Sequence, residues 1–178
     1  INTVIRNAKH LLSIINDLLD ITKIETGHVV IDKQPMSLLE LVDDVVVNYK
    51  AECHSNNIDF KISAEYPLPE YIVSDEVKLK QIIFNLLSNA VKFTKQGYVE
   101  LSVAYNIEKS QLNIKVKDTG LGIDDDALSI IFNRFEQVDE SHARRYGGAG
   151  LGLYITQELI DRLGGYMVVN SKEGEGSE

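Results

Sequence analysis

The stretch Gln81–Gly97, QIIFNLLSNAVKFTKQG, carries two chemistries on one helical period. At about 100° per residue, Leu79, Ile82, Ile83, Leu86, Leu87, Ala90 and Phe93 fill one arc. Gln81, Asn85, Asn89 and Lys92 fall within roughly 80° of one another on the opposite arc. Asparagine is a mediocre helix former, so propensity does not account for two of them a turn apart. One reading is a solvated polar stripe on an amphipathic helix. The other is a binding face, because amide oxygens are hard ligands suited to Mg²⁺ and a lysine can neutralise phosphate.

The chain around this helix has 178 residues, 44% of them hydrophobic, enough for one well-buried domain and a small appendage. Its net charge of −9 is opposite in sign to that of a non-specific nucleic-acid binder. A single cysteine, Cys53, rules out an internal disulfide and fits a reducing, cytoplasmic compartment. No apolar run approaches the roughly 20 residues that span a bilayer. The chain begins at Ile1 rather than methionine, so a fragment is expected, and any membrane span of its parent would lie elsewhere.

Residues 1–26 predict one helix, with Val4, Ala8, Leu11, Ile15, Leu18 and Thr22 in the four-three spacing of a helix seam. Ile14, Ile21 and Ile24 add apolar surface away from that seam, too much for a helix standing alone. Residues 27–36 read as a linker or short strand running into Pro35. Ser37 to Glu40 has the S-x-x-E form of a capping box and opens a helix to about His54. Ile58, Phe60 and Ile62 alternate with polar residues, predicting a half-buried strand, and Pro67 and Pro69 then break the chain. Ser74, Asp75 and Glu76 open the central helix. Strands are expected at about 98–105 and 111–118, a short helix from Asp125 to about Phe135, a long helix over 151–163 ending at Gly164, and a strand over 166–170.

In QLNIKVKDTGLGI, Leu112, Ile114 and Val116 share a face, and Asp118 has the same parity. An unpartnered buried carboxylate is costly. Asp118 therefore lies just past the strand's end in solvent, or it accepts hydrogen bonds from a ligand such as a purine amino group. Gly120 and Gly122 would let a flat ring approach the backbone. In RRYGGAGLGLYI, glycines at 147, 148, 150 and 152 lead into the last long helix, whose first N–H groups would face an anion. No G-K-[ST] follows, so this is not a Walker loop, and no strand directly precedes it, so it is not a Rossmann turn.

These pieces, in this order, resemble the ATP-binding domain of sensor histidine kinases, in the wider group of gyrase-, chaperone- and mismatch-repair-type ATPases. FNLLSNAVKFT resembles the asparagine box, DTGLGI the first glycine box, IFNRFEQVD the phenylalanine box, GGAGLGL the second glycine box and GEGSE the third. INDLLDITKIETG resembles the second helix of the family's dimerisation hairpin. The resemblance covers nearly the whole chain.

It implies an α+β fold, a two-layer sandwich of a mixed sheet and three helices over 37–178, with a separate N-terminal bundle helix over 1–26. It implies ATP and Mg²⁺ as ligands. Asn89 would hold the Mg²⁺, Asn85 would support the site, and Lys92 would contact phosphate. Asp118 would bind the adenine amino group, Gly120 and Gly122 would line the base pocket, Phe93, Ile123 and Phe132 would also border the nucleotide, and Phe132 and Phe135 would pack the lid's start against the core. Gly148, Ala149, Gly150, Leu151, Gly152 and Leu153 would border the phosphates, and residues 133–148 would form a lid. Ala149 stands where threonine is common. The related hydrolytic ATPases carry a glutamate base where this chain has Asn85, which implies suppression of water attack.

The family's acceptor box, H-E-x-R-x-P, is absent. His10 lacks the following acid and proline, and His28, His54 and His142 are no better placed. The fragment is thus expected to bind ATP without phosphorylating itself, its acceptor helix coming from the same or a partner chain. The family's closing strand, F-x-x-x-L-P, which would follow GEGSE, is absent as well, so a truncated last strand and an exposed sheet edge are expected. The implied partners are a response-regulator receiver domain and a second copy joined through the N-terminal helix. Two other readings are a nucleotide-dependent interaction module without kinase activity and a clamp-type ATPase.

Overall fold

The computed structural model describes residues 2–134 and 150–178. Helix α1 (Asn2–Glu25) leads to strand β1 (Gln34–Ser37) and helix α2 (Leu38–Ser55). The predicted capping box forms on its serine side: Ser37 Oγ accepts from Glu40 N at 3.2 Å and starts α2. Strands β2 (Asp59–Glu65) and β3 (Tyr71–Ser74) follow, then α3 (Glu76–Phe93), β4 (Tyr98–Asn106) and β5 (Gln111–Asp118). The chain closes with α4 (Asp125–Leu128), α5 (Gly152–Leu163), β6 (Ser171–Lys172) and β7 (Gly176–Ser177).

The main sheet runs β2-β4-β5, parallel between β2 and β4 and antiparallel between β4 and β5, so the sheet is mixed as expected. Two small antiparallel pairs, β1-β3 and β6-β7, stand beside it. The first core lies between the sheet and α2 and α3. There Leu38, Leu41, Val45, Leu87, Val99 and Leu101 are at most 1% exposed. Burying each such side chain stabilises the fold by roughly 1.5–3 kcal/mol.

A second core holds the C-terminal end of the N-terminal helix against the rest of the chain. Ile21 and Ile24 of α1 are buried against Ile82 of α3 and Leu151, Ile155 and Leu159 of the α5 segment. The seam residues Leu11, Ile15 and Leu18 are instead 45–58% exposed. The helix therefore has two apolar faces, and the one off the seam docks.

Other expectations shift for local reasons. Ser74 belongs to β3, and Asp75 caps α3, its carboxylate accepting from Lys78 N at 3.0 Å and from Asp32 N at 3.0 Å. Strand β3, YIVS, forms despite the prolines before it because β1 pairs along its whole length. Phe60 is half-buried but Ile62 is 48% exposed, since β2 is the sheet's edge. The short helix stops at Leu128 and continues as turns to Arg134, with Phe135 outside the described residues. The predicted strand over 166–170 is not one. It has no ladder partner among the described residues apart from the Asn170–Glu178 backbone pair, and Tyr166 and Val168 face outward.

Candidate functional site

Helix α3 is the wall on which the predicted residues meet. Its polar arc does not act as one row, because each amide has a different neighbour. Gln81 Nε2 donates to Asp20 Oδ2 of α1 at 2.7 Å, so this first amide ties two helices together. Asn85 Nδ2 donates to the Gly152 carbonyl and to Thr156 Oγ1, the latter at 2.6 Å, and so holds the start of α5 against α3. The half-buried Asn89 side chain makes no hydrogen bond with the described residues. Lys92 is half-buried, its ammonium 4.8 Å from the Phe93 ring centroid. Burial lowers its pKa below the ordinary 10.5.

The loop after β5 is fastened to the far end of the same helix. Leu121 N donates to Phe93 O at 3.2 Å. A Cβ on Gly120 would sit 2.5 Å from that carbonyl, so only glycine allows the approach. Asp118 is 8% exposed, inward as its parity predicts. Its Oδ1 accepts from Gly120 N at 2.7 Å. Burial pushes its carboxyl above the ordinary 3.8, opposed by backbone N–H groups of Gly120 and Ser177. The β6-β7 pair seats the loop from behind: Gly174 N donates to Leu121 O at 2.7 Å, and Ser171 Oγ accepts from Ile123 N at 2.8 Å. Gly122 has φ +67°, and a Cβ there would meet Lys172 O at 1.9 Å.

Thus Asn85, Gly152 and Leu151 gather at one end of the α3 arc, and Lys92, Phe93, Asp118 and Gly120 at the other, with Asn89 between them. Leu151 is buried, whereas Gly150, Leu153, Gly122, Ile123 and Phe132 are half-buried. A concavity of about 360 Å³ opens beside the loop, lined by Phe93, Lys95, Gln96, Thr119, Gly120 and Leu121. A second, of about 230 Å³, lies between α1 and α3 and includes Gln81 but none of the other arc residues. Gly148, Ala149 and the expected lid beyond Arg134 lie outside the described residues.

Sequence reasoning passed over Thr156, Ser171 and Ser177. Thr156 lies one turn after Gly152, and that i, i+4 spacing was the available signal. It also passed over Arg134, which pairs with Glu25 of α1 and donates from Nη2 to Tyr154 Oη of α5 at 2.6 Å.

Residues 74–178 match the family described as histidine kinase-, DNA gyrase B-, and HSP90-like ATPase. The chain is 37% identical over 180 residues to the signal transduction histidine-protein kinase BarA of Escherichia coli strain K12, covering 99% of this chain and 20% of BarA. It is similar to the crystal structure of full-length ShkA in complex with AMPPNP, with a TM-score of 0.84, 34% identity and coverage of 98% of this chain and 36% of that one. The crystal structure of histidine kinase ThkA in complex with the response regulator protein TrrA shares the fold, with a TM-score of 0.74, 21% identity and coverage of 99% and 48%. The chain spans about a fifth of the length of its curated relative BarA.

Proposed function

The chain belongs to the histidine kinase-, DNA gyrase B- and HSP90-like ATPase family, as the ATP-binding catalytic domain of a sensor histidine kinase, and on that premise we propose that its site transfers the γ-phosphoryl of Mg-ATP to a histidine on a separate acceptor helix. The P–O bond to the leaving ADP breaks, a P–N bond to the imidazole forms, and the imidazole proton is released. Asp118 accepts the adenine amino group, with Phe93, Gly120, Gly122, Ile123 and Phe132 around the ring. Lys92 and the segment from Gly148 to Leu153 border the phosphates, and Asn89 carries the metal.

The donor set fits Mg²⁺. Among the described residues no three His, Cys, Asp or Glu side chains converge, and the Asn89 amide oxygen is a hard ligand of the kind Mg²⁺ takes. Mg²⁺ takes few protein ligands and keeps water and phosphate oxygens, and Asn89 supplies one amide that makes no hydrogen bond with the described residues. Bound there, the ion would neutralise charge developing on the phosphates.

The observation that carries this reading is the buried Asp118 carboxylate, held by the Gly120 and Ser177 N–H groups on a loop hydrogen-bonded to α3. Asn85 supports transfer over hydrolysis. It stands where a base would be needed, and its amide donors are engaged by Gly152 and Thr156.

Within the parent protein we assign 1–26 to the dimerisation helix, 27–36 to a linker and 37–178 to the catalytic domain. The exposed seam of Leu11, Ile15 and Leu18 supports pairing with a second copy. A response-regulator receiver domain is the proposed partner, a reading supported by the complex of ThkA with the response regulator protein TrrA. The reaction is assigned to the cytoplasm on the single cysteine, which fits a reducing compartment. No described helix is long and apolar enough to cross a membrane.

Incubating the chain with γ-labelled ATP, Mg²⁺ and a separate acceptor-helix peptide should label a histidine on the peptide. Free phosphate alone would mark an ATPase, and neither product a silent module. Calorimetry should show Asn89→Ala and Asp118→Ala each weakening Mg-nucleotide binding by at least about tenfold, the worth of one charge-assisted contact. Wild-type affinity in both would refute the assignment.

A further inference from the structure

Thr156 lies outside every box of the resemblance and outside the residues assigned to the nucleotide. Yet it is polar and 1% exposed, the neighbour in sequence of Ile155 of the second core. Its hydroxyl oxygen meets Asn85 Nδ2 at 2.6 Å. The other Nδ2 proton goes to the Gly152 carbonyl. An asparagine amide has two donors on nitrogen and acceptor capacity on oxygen, so both donors are consumed on the α5 side. Asn85 Oδ1 accepts nothing from the described residues. Gly152 leaves the room for this: a Cβ there would stand 2.6 Å from Oδ1 and 2.9 Å from Nδ2. The amide thus lies flat against α5, with its nitrogen pinned by two acceptors.

We infer that Thr156 is a positioning residue of the site: with the Gly152 carbonyl it fixes the Asn85 amide so that Oδ1, and not the NH₂ group, is offered beside Asn89 to the hydrated metal of a bound nucleotide. This rests on the reading of Asn89 as the metal residue. A buried amide with one acceptor removed can rotate by 180° at little steric cost, since oxygen and nitrogen are nearly the same size. It would then present donors to a cation and its waters. In the rotated state both donated bonds are lost and the carbonyl faces the Gly152 carbonyl; removing the Thr156 acceptor takes away one of those two losses, so the rotated state gains population. Thr156 also ties α3 to α5 across 71 positions of sequence, so orientation of the amide and placement of the first turn of α5 are set by the same contact.

Thr156→Val keeps the shape and removes the acceptor, and Thr156→Ser keeps the acceptor. Binding of an imido-bridged ATP analogue to the full chain would be measured by calorimetry over a Mg²⁺ series and without Mg²⁺. The Mg²⁺ concentration for half-maximal enhancement should rise about tenfold or more in Thr156→Val, the usual effect of losing a residue that orients a ligand. Affinity without Mg²⁺ should change little, and Thr156→Ser should behave as wild type. In the ¹⁵N spectrum, the Asn85 side-chain NH₂ pair should be protected from solvent exchange in wild type and Thr156→Ser but not in Thr156→Val.

An unchanged Mg²⁺ series in Thr156→Val, or equal losses with and without Mg²⁺, overturns the proposal. So does a Thr156→Ser protein impaired as Thr156→Val is, a comparison that stands even where the valine variant unfolds. If Asn89→Ala abolishes the Mg²⁺ dependence while Thr156→Val leaves it intact, the positioning role alone is wrong. If neither variant affects it, the metal assignment fails with it.

Discussion

Asp118 shows how a single residue can trade stability for binding. Its carboxyl titrates above the ordinary 3.8 because burial outweighs the N–H groups of Gly120 and Ser177. A raised folded-state pKa means that the native protein holds this proton more tightly than the unfolded chain does. Its favourable contribution is therefore present below about pH 3.8 and is lost as pH rises through the folded value. At neutral pH the ionised side chain is a net cost unless a ligand donates to it. Asp118→Asn keeps the shape and an acceptor for both N–H groups. It should melt at or above the wild-type temperature at pH 7 and lose the fall in stability between mildly acidic and neutral pH. Adenine-nucleotide affinity should meanwhile drop by roughly ten- to a hundred-fold, equivalent to about 1.5–3 kcal/mol for a charged hydrogen bond. Melting curves over pH, paired with calorimetry, measure both effects. A less stable Asp118→Asn protein would mean that the carboxylate is held for structure.

At the scale of elements, α3 depends on how it begins as well as on what it buries. Asp75, 5% exposed, caps the helix through Lys78 N and also accepts from Asp32 N, so one carboxylate joins the start of α3 to the segment leading into β1. Replacing a capping carboxylate by alanine costs about 1–2 kcal/mol. Here the Asp32 N–H loses its acceptor as well. Asp75→Ala should therefore lower the unfolding free energy read from urea titration by at least that amount, whereas Ser37→Ala, which loses only the Glu40 N–H bond, should cost about 1 kcal/mol. Equal shifts would show that the Asp32 contact contributes nothing.

Across the whole molecule the two cores are separable. The first joins α2, α3 and the sheet, and the second joins α1, α3 and α5. Among the described elements only α3 is common to both, and it is also the helix that carries the site. Ile24 is 5% exposed within the second core, and truncating a buried isoleucine typically costs about 2–5 kcal/mol. Ile24→Ala should let α1 open locally before the rest unfolds. Hydrogen exchange should accelerate over residues 18–25 while α2 and β4 keep their protection. Uniform acceleration through both cores would show that α1 is part of a single cooperative unit. The Glu25–Arg134–Tyr154 contacts belong to the same docked face, which places one end of α1 against the segment following α4.

Much of this was legible residue by residue. The two arcs of α3, the serine that caps α2, the inward parity of Asp118 and the left-handed Gly164 that ends α5 all follow from patterns spanning a few positions. Periodicity and caps are local, so the chain states them directly. The destinations of the polar side chains were not legible. Gln81, Asn85 and Asn89 look alike in sequence, yet one binds α1, one binds α5, and one makes no hydrogen bond with the described residues. The first two contacts join positions 61 and 67 residues apart, and no short-range pattern encodes such a distance. The pairing of YIVS with β1, the docking face of α1 and the failure of 166–170 to form a strand depend likewise on neighbours distant along the chain. Local chemistry by itself determined which helices and strands form and which residues could serve a site. Packing between remote elements decided which of three similar amides is open to a ligand, because a side chain's role follows from the groups it meets.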